Sequence, residues 1–135
     1  MQNVHTQFSL VPGTQAAVGW SGKHCIIADR PEGKAGGMGL GFNGAQMLSL
    51  ALGACFSNDL HYLADRSGQK IEDLVINVAL QLDGDPIMAV AANMRVKCRM
   101  QDGTDGSALI EEARLRSMVI NSLARGVPVS VAVFE

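Results

Sequence analysis

The stretch from Asn43 to Gly68, NGAQMLSLALGACFSNDLHYLADRSG, constrains this chain more than any other. Asn43 is placed to cap a helix and Gly68 to stop it, so the spacing predicts a helix over Gly44 to Arg66. Its first half, AQMLSLALGACF, is apolar nearly all round, and such a helix must be covered on several sides. Polar residues return only with Ser57, Asn58 and Asp59, directly after a cysteine, Cys55. The other elements have to wrap this helix, and Cys55 sits where its surface turns from apolar to polar.

The flanking sequence supplies those elements. Val4, Thr6, Phe8 and Leu10 alternate with polar neighbours, which reads as a half-buried strand ended at Pro12-Gly13. QAAVGW and HCIIAD flank Ser21-Gly22-Lys23 and pair as a hairpin. The glycine-rich stretch Arg30 to Gly44 is a loop, of the kind that is functional or crosses between subunits. After the helix, Leu74, Ile76, Val78, Leu80 and Leu82 mark a strand from Ile71 to Asp83. A turn over Asp83 to Pro86 leads to a strand running to about Gln101, with Met94, Val96, Cys98 and Met100 on one face and Arg95, Lys97 and Arg99 on the other. Asp105 or Ser107 caps a second helix through Arg125, striped by Leu109, Ile110, Ala113, Val119, Ile120 and Leu123. Glu112 and Arg116 pair on its solvent side. Gly126 stops it, and Val127, Val129, Val131 and Val133 read as a final strand. Hairpin-joined strands with helices on one face make an α+β fold, here a single domain over residues 1–135.

Composition narrows the function. Apolar residues are 47% of the 135-residue chain and charged ones 18%, a low charged fraction that points to apolar surface buried against a second copy. A net charge of −2 and no basic cluster argue against nucleic-acid binding. No apolar run reaches the ~18 residues of a membrane span, and the N-terminus lacks a signal-peptide pattern. Three cysteines without paired spacing speak for a reducing compartment, the cytoplasm.

Two candidate sites fail on spacing. Gly39, Gly41 and Gly44 match G-x-G-x-x-G, but about nine residues of loop separate the match from the preceding strand, and no acid follows at the right place. Metal binding fails because His5, His24 and His61 are far apart in sequence and no C-x-x-C exists; no metal or cofactor is expected. Cys98 lies on the apolar phase of its strand and reads as core, and Cys25 reads as structural. Cys55 is about three turns inside its helix, beyond the reach of the helix dipole, so reactivity needs a cation brought from elsewhere. Lys23, Arg30, Arg66 and Arg125 are the candidates, while Asp59, one turn on, opposes thiolate formation if it lies close and unpaired.

The helix FNGAQMLSLALGACFSNDL resembles the central helix of the OsmC/Ohr family, named for osmotically inducible protein C and organic hydroperoxide resistance protein, and Leu-Gly-Ala-Cys is the most specific part. The order of elements agrees over nearly the whole chain. The resemblance implies an intertwined homodimer, with antiparallel sheets wrapped around two central helices and a site between subunits. It also implies a thiol peroxidase, in which a helix thiolate takes oxygen from an organic hydroperoxide and a second cysteine closes a disulfide. Cys55 takes the position of the reactive cysteine. Three positions depart from the pattern: Val127 stands in the second cysteine's slot before Pro-Val-Ser, Ala45 beside Gln46 replaces a supporting glutamate, and only Lys23 answers to the arginine of the N-terminal hairpin.

Two functions follow. In one, Cys55, supported by Asn58, Asp59, Gln46, Lys23 or Arg30, reduces hydroperoxides or related electrophiles and an external thiol restores it. In the other, Met38, Met47, Met88, Met94, Met100 and Met118 help to form an adaptable apolar pocket at the dimer interface for a small lipophilic ligand, without catalysis.

Overall fold

A computed structural model of the chain describes residues 1–134. Among these residues the fold is α+β, with eight elements in the order β1 (Gln7–Leu10), β2 (Ala17–Ser21), β3 (His24–Ala28), α1 (Gly44–Arg66), β4 (Ile71–Asp83), β5 (Met88–Met100), α2 (Ser107–Arg116) and α3 (Met118–Arg125). It divides into two compact units, Met1–Leu48 and a second from Ser49 onward.

In the first unit, β1, β2 and β3 form an antiparallel meander in that order. The expected hairpin is present, with Ser21 opposite His24 and Gly22 at φ 59° in the turn, a left-handed conformation that glycine adopts without strain. The first strand is shorter than its alternation implied and is not half-buried: Gln7–Leu10 is exposed throughout, Leu10 to 59%.

The glycine-rich loop is ordered by one carboxylate. Asp29 is buried, and its oxygens accept hydrogen bonds from the N–H groups of Met38 and Leu40 (3.0 Å each) and of Arg30 (2.8 Å), with the Arg30 guanidinium at 3.3 Å. Phe42 then bonds back to Ile27 and Asp29, forming a parallel bridge beside β3. Gly41 is needed there, since a Cβ would lie 2.1 Å from the Ile27 carbonyl oxygen. That close approach, rather than a phosphate, explains this glycine. The Leu40 N–H bond, with those of Met38 and Arg30 and the Arg30 charge, holds the Asp29 carboxyl below its usual range against the opposing cost of burial. A carboxyl depressed in the folded state stabilises the fold above its unfolded value near about pH 4, and that stabilisation is lost as pH falls through the lower folded value. Asp29→Ala is therefore expected to hasten proteolysis within residues 30–43 at pH 7 and to remove part of the acid dependence of the loop's protection. Equal cleavage rates in both proteins would contradict this role.

The second unit is built on a long antiparallel hairpin, β4 with β5, of 13 residues in each strand. The remainder of α1 lies on its apolar face. Phe56, Leu60 and Leu63 pack with Ala113 of α2, with Ile71, Leu74, Ile76, Met94 and Val96 of the hairpin, and with Leu109, Ile110 and Ile120. Ala64, Cys98 and Met100 make an adjoining cluster. Gly53 faces β4, where an added Cβ would make an ordinary contact with Val78 at 3.4 Å. The distal half of the hairpin has no cover, and residues 81–93 are exposed.

The long helix has the expected bounds and the expected cap. Asn43 Oδ1 accepts from the Gln46 N–H at 2.8 Å, and Gln46 Oε1 accepts from the Asn43 N–H at 2.9 Å, a reciprocal capping box. Four other expectations are corrected. The apolar first half of α1 is not enclosed within one chain: Leu50 is 49% exposed, and Ala51 and Ala54 are exposed too. The helix expected to run through Arg125 breaks at Ser117 into α2 and α3. Neither Asp105 nor Ser107 is the N-cap residue of α2; that position is Gly106, and Asp105 instead accepts from the Ser107 N–H at 2.9 Å. Finally, Val127 to Val133 alternate as a strand would but form none, since a strand needs a neighbour to bond to and this segment has none within the described residues.

Candidate functional site

Cys55 lies in the second unit, in the middle of α1, on the turn where the helix surface becomes polar. It is partly exposed, with Phe56 buried beside it and Ala54 exposed before it. Asp59 follows one turn on, and the helical i, i+4 spacing brings its Oδ2 to 3.7 Å from the Cys55 sulfur. From across the core, Ser117 brings its Oγ to the same sulfur, also at 3.7 Å. The sulfur thus has a carboxylate that accepts from a thiol and a hydroxyl that donates to it.

Ser117 is fully buried, and the backbone explains why it reaches Cys55. It is at once the C-cap of α2 and the N-cap of α3, with φ −59° and ψ 123°, well outside the helical region. Its side chain accepts from the Ile120 N–H, which supplies the cap of α3. Asn121 Nδ2 donates to the Leu115 carbonyl at 3.1 Å, satisfying a group the break leaves free at the end of α2. The signal for Ser117 was present in the sequence. It falls on the apolar stripe at the spacing of Ile110, Ala113 and Ile120, a polar residue where the stripe calls for an apolar one.

Beside Asp59 opens a depression of about 490 Å³, lined by Asp59, Tyr62, Leu63, Asp65, Arg66 and Arg116. Arg66 and Arg116 therefore line the same surface hollow as Asp59, the residue whose Oδ2 lies 3.7 Å from the Cys55 sulfur. Arg66 comes from the last turn of α1. Arg116 precedes Ser117 and bonds Glu112 at 3.2 Å, the pairing expected from their spacing.

The other predicted residues have these places. Asn58 is exposed on α1. Gln46 is engaged in the capping box at the start of that helix. Arg30 donates to Asp29 and to the Gln15 carbonyl, and Lys23 is exposed in the turn between β2 and β3. Arg125 ends α3, exposed. Of the named supports, Asp59 is the one in hydrogen-bond reach of the cysteine within the second unit.

The remaining thiols differ in setting. Cys98 is buried, as its strand phase implied, and its sulfur packs against Gly106, where a Cβ would lie 2.7 Å away. Burial, with the Asp73 charge adding to it, pushes the Cys98 thiol up, so it stays protonated and unreactive at neutral pH. Cys25 is exposed on β3, opposite Trp20. Among the described residues, no three His, Cys, Asp or Glu are grouped to hold a metal ion, and no helix is long and apolar enough to cross a membrane.

No curated protein matches the chain in sequence. Its fold is similar to that of an OsmC-like protein from Mycoplasma pneumoniae, with 18% identity, a TM-score of 0.73, and 91% of this chain and 88% of that one covered. An OsmC-like protein of unknown function from Vibrio cholerae gives 12% identity and a TM-score of 0.75 over 90% and 94% of the two chains. An organic hydroperoxide resistance protein, OsmC, from Legionella pneumophila gives 16% and 0.62 over 91% and 90%. Residues 36–132, which include α1, Cys55 and Ser117, match the sequence pattern of the OsmC-like proteins, and the chain belongs to that family.

Proposed function

We propose that the protein is a one-cysteine reductase of organic hydroperoxides in which Cys55 is the reacting group. The observation that carries this reading is the setting of Cys55: a partly exposed residue at the polar edge of α1, its sulfur 3.7 Å from a buried hydroxyl and 3.7 Å from Asp59, a residue that lines a hollow together with Arg66 and Arg116. The family context and the likeness to a hydroperoxide resistance protein support it. The Cys55 thiolate attacks the terminal oxygen of the hydroperoxide. An S–O bond forms, the O–O bond breaks, and the sulfur is oxidised by two electrons to a sulfenic acid while the alkoxide takes a proton and leaves as alcohol. An external thiol condenses with the sulfenic acid, releasing water and leaving a mixed disulfide, and a second thiol restores Cys55. Cys98, buried and protonated, is no candidate for a local second thiol.

Two further parts belong to this proposal. The chain works as one domain in the cytoplasm. It does so as a homodimer, whose second copy covers the open side of α1 at Leu50 and the apolar residues Leu82, Ile87, Met88 and Val90 of the β4–β5 hairpin, all 44–69% exposed. The test is steady-state consumption of cumene hydroperoxide by the purified protein with dithiothreitol as reductant, beside native mass spectrometry of protein as isolated. Turnover well above the protein-free rate, by a clean apoprotein dimer, is expected. A stoichiometric lipophilic ligand and no turnover would replace the reductase with the binding-protein reading.

A further inference from the structure

The helix break at Ser117 gives the site a second working residue. A serine inside a continuous helix commonly spends its hydroxyl on the carbonyl four residues back, as Ser67 does here with the Leu63 oxygen at 3.3 Å. Ser117 does not. The chain leaves the helical region at this residue and restarts as α3, and the hydroxyl is directed to the Cys55 sulfur instead. It has no solvent to fall back on, because Ser117 is fully buried. The oxygen accepts from the Ile120 N–H, and the hydrogen is left for sulfur.

We infer that Ser117 is the positioning residue for the Cys55 sulfur, donating to it as a thiolate and again as a sulfenic acid, and so also fixes how the oxidised site is reset. This inference rests on the redox reading of Cys55. A donor to an anionic sulfur is a charge-assisted hydrogen bond, stronger than a neutral one, and it is held ready by a rigid helix junction. The hydroxyl is neither oxidised nor consumed in the cycle. With oxygen in place of sulfur it cannot close a disulfide with Cys55, so the sulfenic acid waits for a thiol from outside. The residue that steadies the sulfur thus occupies the spot from which a local thiol would resolve it.

The test uses the full-length protein in a Cys25→Ser background, so that Cys55 is the reactive thiol followed. Ser117→Ala is expected to slow iodoacetamide alkylation of Cys55 at pH 7.5 by about tenfold, and Ser117→Thr, which keeps the hydroxyl, to restore most of it. Loss of the α3 cap alone lowers melting temperature in Ser117→Ala without requiring a slower thiol, so melting is recorded in parallel. Ser117→Cys is the second arm: one equivalent of cumene hydroperoxide is expected to convert it to an intramolecular disulfide with Cys55, read as loss of two thiols by mass. An unchanged rate in Ser117→Ala, equal slowing in Ser117→Thr, or no disulfide in an oxidised Ser117→Cys protein would each overturn the inference. The reductase reading fails separately, if the unmodified protein consumes no hydroperoxide while these alkylation rates still follow the hydroxyl.

Discussion

Cys55→Ser is expected to lower hydroperoxide turnover by about a thousandfold or more, to the level of the reductant alone. The substitution keeps the shape of the side chain at a partly exposed helix position, where a hydroxyl is tolerated, so the loss is one of chemistry. A serine hydroxyl is not ionised at neutral pH and forms no stable oxidised state that a thiol can reset, whereas a thiolate does both. No other sulfur takes over. Cys98 is sealed in the core with its thiol pushed up by burial, and Cys25→Ser, at an exposed strand position, is expected to leave turnover unchanged. Comparing initial rates of the three proteins measures this. Turnover in Cys55→Ser within about threefold of the unmodified protein would remove Cys55 from the reaction.

Leu60→Ala is expected to cost about 2–5 kcal/mol of folding stability, the range for truncating a large buried aliphatic residue. Leu60 is fully buried one turn beyond Phe56, where α1 meets α2 and the β4–β5 hairpin, and its neighbours come from elements that cannot all close on a lost side chain. Because the same helix carries Cys55, the variant is also expected to loosen the site. Urea unfolding at a fixed protein concentration measures the effect, and a fixed concentration matters because dimerisation would make the midpoint concentration-dependent. A cost below about 1 kcal/mol would mean that this cluster is not the core of the second unit.

Much of the fold was legible in the sequence because the strongest patterns are local. The bounds of α1 follow from Asn43, Gln46 and Gly68, and those of β4 from period-two alternation beginning at Ile71. Cys98 and Met100 were placed in the core by strand phase alone. What the pattern missed depends on partners distant in sequence. The stripe from Leu109 to Leu123 keeps helical spacing straight through Ser117, so periodicity does not mark the break; the polar residue on the stripe is its one trace, and the sulfur that residue meets lies 62 positions earlier. The valines from Val127 onward carry the alternation of a strand but meet nothing to pair with in one chain. The site was legible to the same extent. Cys55 stands out by the change in polarity around it, and Asp59 and Arg66 by helical spacing, while Ser117 and Arg116 join them only through tertiary packing.

The central claim, that Cys55 is the oxidised group, is tested most directly by peptide mapping. The protein is treated with one equivalent of cumene hydroperoxide in the presence of dimedone, which traps sulfenic acids, and then digested. The account predicts a near-stoichiometric adduct on the peptide containing Cys55, with Cys25 and Cys98 unmodified. Consumption of the peroxide with Cys55 recovered as free thiol would contradict it.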